Sequence, residues 1–172
     1  LEKEVKIEVV LPSWRSLAIV QAMISAHPYE EVAYDLYNLA NSNLQTGSGL
    51  IGELPDALKE KYFLESIKKI FNVTMLRHTR LLGKPVKKIA VCGGAGSFLT
   101  GAAIGSGADL YLTADVKYHE FFDADGRLLL VDIGHYESEQ YSINLLFDIL
   151  REKFPNFAVL KTGIDTNPVH YL

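Results

Sequence analysis

Cysteine is almost absent from this sequence, which has a single one, Cys92, among its 172 residues. One thiol cannot form a disulfide within the chain, and this usage is typical of a protein of the reducing cytoplasm. Cys92 ends the apolar run Ile89–Cys92 and has no His or Asp near it in sequence. We therefore interpret it as a buried structural residue and not as a nucleophile.

Long apolar runs and basic clusters are also missing. No stretch approaches the roughly 20 apolar residues that span a bilayer, and the N-terminus lacks the basic-then-apolar pattern of a signal peptide. The formal net charge is −4, which argues against a nucleic-acid partner. Since 48% of the residues are hydrophobic, we expect a cytoplasmic globular protein that binds neither membrane nor nucleic acid.

The first part of the sequence alternates strand and helix patterns. Strands are predicted at Val5–Leu11, Glu31–Leu39, Leu50–Leu54 and Val73–Thr79, and helices begin at Ser13 and at Pro55-Asp56. The resulting order, β-α-β-β-α-β, is typical of a ferredoxin-like domain, in which two helices cover one face of an antiparallel sheet. We assign this domain to residues 1–82.

The pattern changes after Gly83-Lys84-Pro85. Short apolar strands at Val86–Cys92, Leu110–Thr113, Leu128–Ile133 and Phe157–Leu160 alternate with helices at Ser97–Ser106, Val116–Asp123 and His135–Phe154. Such alternation predicts a partial, mostly parallel α/β sheet domain over residues 83–172, so that the whole chain combines α/β and α+β architecture. Because three crossovers are few and the chain does not begin with Met, we expect it to be part of a longer protein.

His135 and Glu139 follow the strand that ends near Ile133 and lie four residues apart at the start of a helical pattern. This spacing places an imidazole and a carboxylate on one helix face. Two interpretations stay open. In the first, the pair is half of a site for a divalent metal such as zinc, iron or manganese. In the second, His135 caps the helix and the negative charge of Glu139 interacts favourably with the positive N-terminal end of the helix.

Asp115 and His119 follow the neighbouring strand Leu110–Thr113, so we expect them at the same sheet edge as His135 and Glu139. A cleft lined by these four side chains is a candidate catalytic site. In such a cleft a metal would activate water, and His119 would shuttle the proton.

The glycine-rich run Gly93–Ser97 also follows a strand. It lacks the third glycine of a dinucleotide-binding motif and the Gly-Lys-Ser/Thr of a phosphate-binding loop. A tight turn that lets a helix pack closely and a ligand-binding loop both remain open.

Four motifs in one order resemble the C-terminal half of the Nif-three-like dinuclear-metal family, whose members are often named GTP cyclohydrolase 1 type 2 homologues. They are Val91–Ser97, Gly107–His119, Gly134–Glu139 and Asp165–Pro168. One departure is Ala114, where the family commonly has Gly. The first part, with His27–Asp35 and Gly49–Leu54, resembles the ferredoxin-like domain, related to nitrogen-regulatory PII and CutA proteins, that some members carry as an insertion.

The resemblance implies a toroidal homohexamer with two divalent metal ions per full-length subunit. It makes His135 and Glu139 metal ligands. In our hypothesis of an enzyme, Asp115 and His119 are acid/base groups or supports of these ligands. The remaining ligands belong to an N-terminal half that this chain does not contain, so the site is incomplete here. The expected function is a metal-dependent hydrolase of a nucleotide or other phosphorylated small molecule. The alternatives are a regulatory or ring-assembly module, in which the PII-like domain binds a metabolite and the metals are structural, or a domain that only packs subunits together.

Overall fold

The structure is a computed structural model that describes residues 5–41 and 46–171. Its contacts divide the chain into two units, Leu1–Ser42 and Asn43–Leu172. The boundary predicted near residue 82 falls inside the second unit. The reason is a long-range pairing, since the strand that begins at Leu50 pairs with the strand that begins at Pro85 in one sheet.

Within residues 5–41 the structure shows helix α1 (Ser16–Ala26), preceded by a 3-10 turn at Ser13–Arg15. The helix predicted in this region is therefore confirmed. The strands predicted at Val5–Leu11 and Glu31–Leu39 are wrong, because neither segment forms a strand in the described chain. An alternating pattern makes a strand only where a partner bonds its backbone. The assignment of residues 1–82 to a ferredoxin-like domain thus rests on the family resemblance alone.

The α-helices and strands of the described part of the second unit are, in chain order, β1 (Leu50–Lys59), α2 (Glu60–Phe71), β2 (Arg77–His78), β3 (Pro85–Ala95), α3 (Thr100–Gly105), β4 (Leu110–Ala114), β5 (Leu129–Asp132), α4 (His135–Glu139) and α5 (Ser142–Lys153). These strands form one sheet in the spatial order β1-β3-β4-β5-β2. The central strands β3, β4 and β5 are parallel, and β1 and β2 run antiparallel at the two edges. This mixed architecture confirms the predicted combination of α/β and α+β.

The structure corrects three predicted elements of the second unit, namely the helix start at Pro55-Asp56, the strand Phe157–Leu160 and the single helix His135–Phe154. β1 continues to Lys59 where a helix was predicted from Pro55-Asp56, and its pairing with β3 is irregular between Glu53 and Leu58. Proline has no N–H to donate to a neighbouring strand, so the irregularity accommodates Pro55. No strand forms at Phe157–Leu160, which lies within the described residues without a pairing partner.

The long helix predicted over His135–Phe154 is divided into α4 and α5. The two residues between them bind the C-terminal turn of α2. Gln140 Nε2 donates to the carbonyl of Phe71 at 3.1 Å, and the Tyr141 hydroxyl donates to the carbonyl of Ile70 at 3.3 Å. These bonds satisfy carbonyls that a helix end leaves without partners.

The central strands are buried on both faces. Alternate residues of β4 and β5 face a cluster that includes Phe63, Leu64 and Ile67 of α2, and the intervening residues face a cluster that includes Ala103 of α3 and Cys92. Successive strand residues point to opposite faces, which explains the continuous apolar runs in the sequence. The prediction that Cys92 is buried is confirmed. Among the described helices, none combines the length and apolar character needed to cross a bilayer.

Candidate functional site

The candidate residues lie at the carboxyl edge of the three parallel strands. β3 ends within the glycine-rich loop (residues 93–97), β4 is followed by Asp115, and β5 is followed by Gly134 and His135. Parallel strands end at the same edge of a sheet, so the three loops meet there. Asp115, His135 and Glu139 form one group of contacting side chains, which we name the edge cluster.

Asp115 contacts the first ring nitrogen of His135. Asp115 has a left-handed backbone with φ of +53°, a conformation that Asp tolerates better than most residues. Its Oδ2 lies 2.8 Å from His135 Nδ1. A carboxylate only accepts hydrogen bonds, so the proton of this contact belongs to Nδ1. The hydrogen bond to Asp115 raises the pKa of His135, and the charges of Asp115 and Glu139 act in the same direction.

Glu139 approaches the second ring nitrogen from one helical turn further along α4. Its Oε2 lies 3.4 Å from His135 Nε2. The side chains of the edge cluster are half exposed, with 50% exposure for His135, 53% for Asp115 and 52% for Glu139. An imidazole that keeps its proton on Nδ1 presents a lone pair at Nε2, where Glu139 provides a carboxylate oxygen beside it. Nε2 of His135 and Oε2 of Glu139 thus lie side by side at a half-exposed surface.

The glycine-rich loop packs closely against the edge cluster, because Gly94 has no side chain there. Gly94 has φ of +63°, and a Cβ placed on it would lie 2.6 Å from Glu139 Oε1 and 3.2 Å from His135 Cε1. The Gly94 N–H donates to Ser138 Oγ at 2.8 Å, and that hydroxyl donates to the carbonyl of His135 at 2.8 Å. Of the two interpretations of this loop, the close packing of a helix is the one that these contacts support.

A cleft of about 970 Å³ adjoins the edge cluster and is also lined by the tail segment Thr162–Val169. The Tyr136 hydroxyl donates to Asp165, which raises the pKa of Tyr136. The backbone N–H of Asn167 donates to Asp165 at 2.9 Å and lowers the pKa of that carboxyl. Asn167 Nδ2 also donates to Oε1 of Glu137, at 3.4 Å. The polar tail singled out in the sequence thus reaches the same cleft as His135.

The edge cluster fits half of a metal site. His135 offers one nitrogen donor and Glu139 one oxygen donor, whereas Asp115 is engaged on the opposite ring nitrogen. Across residues 5–41 and 46–171, no three or more His, Cys, Asp or Glu side chains are arranged to hold a metal ion. Imidazole and carboxylate donors suit zinc, iron and manganese, but protein sites for these ions normally use at least three protein ligands.

His119 lies apart from this group. It is exposed in the 3-10 helix Tyr118–Ala124, and it is not among the described residues that line the cleft. The structure thus brings together Asp115, His135 and Glu139, three of the four side chains expected in one cleft.

Two residues that contact the loops of the edge cluster were not predicted from the sequence. Asp132 at the end of β5 is buried and paired with Arg77 of β2. The available signal was a carboxylate inside the apolar run Leu128–Ile133, because a buried charge requires partners. Its partner could not be found in this way, since Arg77 lies 55 residues earlier.

The fold is that of an α/β protein, with the edge cluster as a candidate site at the carboxyl ends of its parallel strands. The family model described as Duf34/NIF3 (NGG1p interacting factor 3) matches residues 5–168, and the chain belongs to this family.

Curated relatives are similar in sequence to this chain over nearly its whole length. A protein of Halalkalibacterium halodurans named GTP cyclohydrolase 1 type 2 homolog is 37% identical over 99% of this chain and 47% of its own length. One of the same name from Bacillus subtilis is 34% identical over 100% of this chain and 47% of its own length. The chain therefore spans about half the length of the curated relatives it matches.

Solved structures agree with this assignment. A Bacillus cereus protein related to NIF3 is 34% identical with a TM-score of 0.71, over 94% of this chain and 46% of that protein. Staphylococcus aureus protein SA1388 is 27% identical with a TM-score of 0.75, over 96% of this chain and 55% of that protein.

Proposed function

We propose that this chain supplies His135 and Glu139 to the divalent-metal centre of a hydrolase that acts on a nucleotide or another phosphorylated small molecule. The observation that carries the proposal is the approach of His135 Nε2 and Glu139 Oε2 to 3.4 Å at the half-exposed sheet edge. Zinc, iron and manganese all accept this pair of donors. The name of the relatives, GTP cyclohydrolase 1 type 2 homolog, favours a nucleotide as substrate.

The residues of the edge cluster have distinct roles in this proposal. Asp115 holds the proton on His135 Nδ1, which keeps Nε2 as the ligand atom and fixes the orientation of the ring. A divalent ion held by His135 Nε2 and Glu139 Oε2 would supply Lewis acidity and would lower the pKa of a bound water. His119, which lies apart from the edge cluster, stays a predicted acid/base group and would have to approach the cleft to carry a proton.

The two donors require further ligands, which we place outside this chain. The curated relatives are about twice as long as the part that this chain matches. A ring of identical subunits with two metal ions per full-length subunit is the assembly that we propose on the family resemblance. A cytoplasmic location is proposed from the single cysteine.

Titration calorimetry of the chain with Zn²⁺ and Mn²⁺ tests the ligand assignment. We expect weak binding by the wild-type chain and a loss of at least about tenfold in affinity for His135→Ala and for Glu139→Gln, because the first change removes the nitrogen donor and the second removes the negative charge of the oxygen donor. Glu152→Gln is the matched control, since Glu152 is an exposed carboxylate on α5. Equal affinity in the wild type and in His135→Ala would contradict the assignment.

Hydrolysis is tested separately with GTP and other nucleoside phosphates, with the products separated by chromatography. Turnover that needs added metal and disappears in His135→Ala would support a hydrolase. The second candidate is a regulatory module with structural metals, favoured by the separate unit Leu1–Ser42 and by its exposed apolar side chains, such as Val5 and Tyr37. Metal binding through His135 that raises the unfolding temperature without turnover of any nucleotide would favour this second function.

A further inference from the structure

Asp132 is a buried carboxylate, 3% exposed, at the end of β5. Its Oδ2 accepts a hydrogen bond from the Val116 N–H at 2.9 Å, and its Oδ1 accepts one from the Gly134 N–H at 2.9 Å. Val116 directly follows Asp115, and Gly134 directly precedes His135. One side chain thus joins the two loops that carry the edge cluster.

Arg77 provides the charge that a buried carboxylate needs. Its Nη2 donates to Asp132 Oδ2 and also, at 3.0 Å, to the carbonyl of Val116. Arg77 and Asp132 are direct partners in the antiparallel pairing of β2 with β5. The guanidinium carbon lies 5.4 Å from the centre of the Phe121 ring, within the range of a cation–π contact. Arg77 therefore holds the Val116 loop both directly and through Asp132.

One of the two held loops has a conformation that needs support, because Asp115 has φ of +53°. Gly134 has φ of +93°, which glycine adopts without strain. Positive φ is unfavourable for a residue with a Cβ, so the Asp115 turn persists only where neighbouring contacts stabilise it. Both backbone groups of Val116, its N–H and its carbonyl, are bonded by the Arg77–Asp132 pair. These bonds maintain the turn in which Asp115 faces His135 Nδ1.

We propose that Asp132 is a positioning residue for His135, with Arg77 as its counter-charge. It acts by fixing the distance between the Asp115 and His135 loops, so that the imidazole keeps its proton on Nδ1 and presents Nε2 to Glu139 and to a ligand. The inference rests on the proposed function only in that the positioned nitrogen is the one assigned to metal binding. It differs from a merely structural role, in which Asp132 would stabilise the fold without affecting the ring.

The ring tautomer of His135 separates these two roles. Long-range proton–nitrogen correlation spectra of the ¹⁵N-labelled, metal-free chain are recorded at a pH where the imidazole is neutral. In the Nε2–H form, which an imidazole without restraint favours in water, the ring donates to Glu139 Oε2 at 3.4 Å. In the Nδ1–H form it donates to Asp115 Oδ2 at the shorter distance of 2.8 Å. We expect the Nδ1–H form to predominate in the wild type and to become the minor form in Asp132→Asn. Asparagine has nearly the same shape but lacks the charge, and it has only one accepting oxygen for two N–H donors.

Two further variants make the result decisive. Leu64→Ala is the control, because Leu64 is a buried residue of α2 whose truncation lowers stability without removing a hydrogen bond to either loop. It should keep the Nδ1–H form. Arg77→Met removes the counter-charge of Asp132 and is expected to lower stability, but Asp132 keeps its bonds to the Val116 and Gly134 N–H groups, so this variant provides a second test under conditions where it is folded. We expect it to shift the tautomer in the same direction.

Retention of the Nδ1–H form in both Asp132→Asn and Arg77→Met would overturn the positioning role, even if His135 proves to bind metal. A shift in either variant, absent from Leu64→Ala, supports it, even if the metal titration is negative. Because the spectra are recorded on the metal-free chain, their outcome does not depend on metal binding. The failure of this inference and the failure of the proposed function are therefore distinguishable.

Discussion

The sheet edge has a buried side and an exposed side that are built differently. On the buried side the Tyr111 hydroxyl donates to the carbonyl of Gly96 at 2.6 Å and Thr113 Oγ1 donates to the carbonyl of Gly94 at 3.2 Å, with both side chains at most 1% exposed. We name these two side chains the buried support. On the exposed side the edge cluster is charged and half exposed.

The glycine-rich loop contacts both sides, so the difference between them is informative. Neutral hydroxyls hold the loop from within at little electrostatic cost, because burying a hydroxyl that is hydrogen-bonded costs far less than burying a charge. The charged groups lie where solvent and a ligand can reach them. We infer that stability depends on the buried support and ligand binding on the edge cluster.

Gly96→Ala is expected to have the largest effect on stability. A Cβ at this position would collide with Thr113 Oγ1, and it would lie 2.7 Å from the Tyr111 hydroxyl and 2.8 Å from Cys92 Cβ. These atoms belong to buried residues that cannot easily move, so we expect a loss of about 3 kcal/mol in the free energy of unfolding, measured by urea denaturation.

The matched control for this change is Gly101→Ala. Gly101 lies in α3, and a Cβ there would meet nothing within 4 Å. Alanine favours a helix over glycine, so we expect a gain of about 0.5 kcal/mol. Equal effects of the two substitutions would contradict the close packing of the loop on the buried support.

The second prediction concerns the pH dependence of the buried support. Burial raises the pKa of Tyr111 to about 12, above its ordinary value of 10.0. Between these values the folded chain keeps the phenolic proton that the unfolded chain loses, so stability falls as the pH rises from 10 to 12. At about 1.4 kcal/mol per pKa unit the loss amounts to roughly 2 to 3 kcal/mol.

Tyr111→Phe isolates this contribution, because among the nine tyrosines of the chain it removes the Tyr111 hydroxyl alone. Urea unfolding of both chains across this pH range should give curves that converge as the pH rises. Parallel curves would mean that the Tyr111 hydroxyl is not held in a buried hydrogen bond.

The third prediction compares two glycines with similar backbones. Gly94 and Gly83 have φ of +63° and +71°, but only at Gly94 would a Cβ meet the edge cluster. Each change to alanine should therefore cost about 1 kcal/mol of stability through backbone strain. Only Gly94→Ala should also weaken Zn²⁺ binding, by about tenfold or more, because it displaces Glu139. Calorimetric titration of both variants checks this, and equal affinities would show that the loop does not shape the cation site.

Local patterns were sufficient where the decisive contacts are close in sequence. His135 and Glu139 share a helix face, and helix geometry alone brings residues four apart together. The meeting of Asp115 with His135 followed from the order of parallel strands, which the alternation of strands and helices indicated.

Local sequence patterns gave wrong predictions where the structure depends on strand pairing between segments that are distant in sequence. Val5 and Ile7 alternate like strand residues but remain 87% and 81% exposed, because no partner strand forms beside them in the described chain. Pro55 is typical of a helix start, yet the pairing of β1 with β3 keeps it in an irregular strand.

The sequence by itself determined the two-sided apolar strands, the His135 and Glu139 pair and the family. These depend on the local periods of strands and helices and on residue identity at short spacing. Only the tertiary structure decided which charges meet. Asp132 is a buried carboxylate, and its partner is Arg77. The two residues are 55 positions apart in sequence but adjacent in the sheet. Such a pair forms because burial makes an unpaired charge costly, and the strand order, which no local pattern encodes, selects the partner.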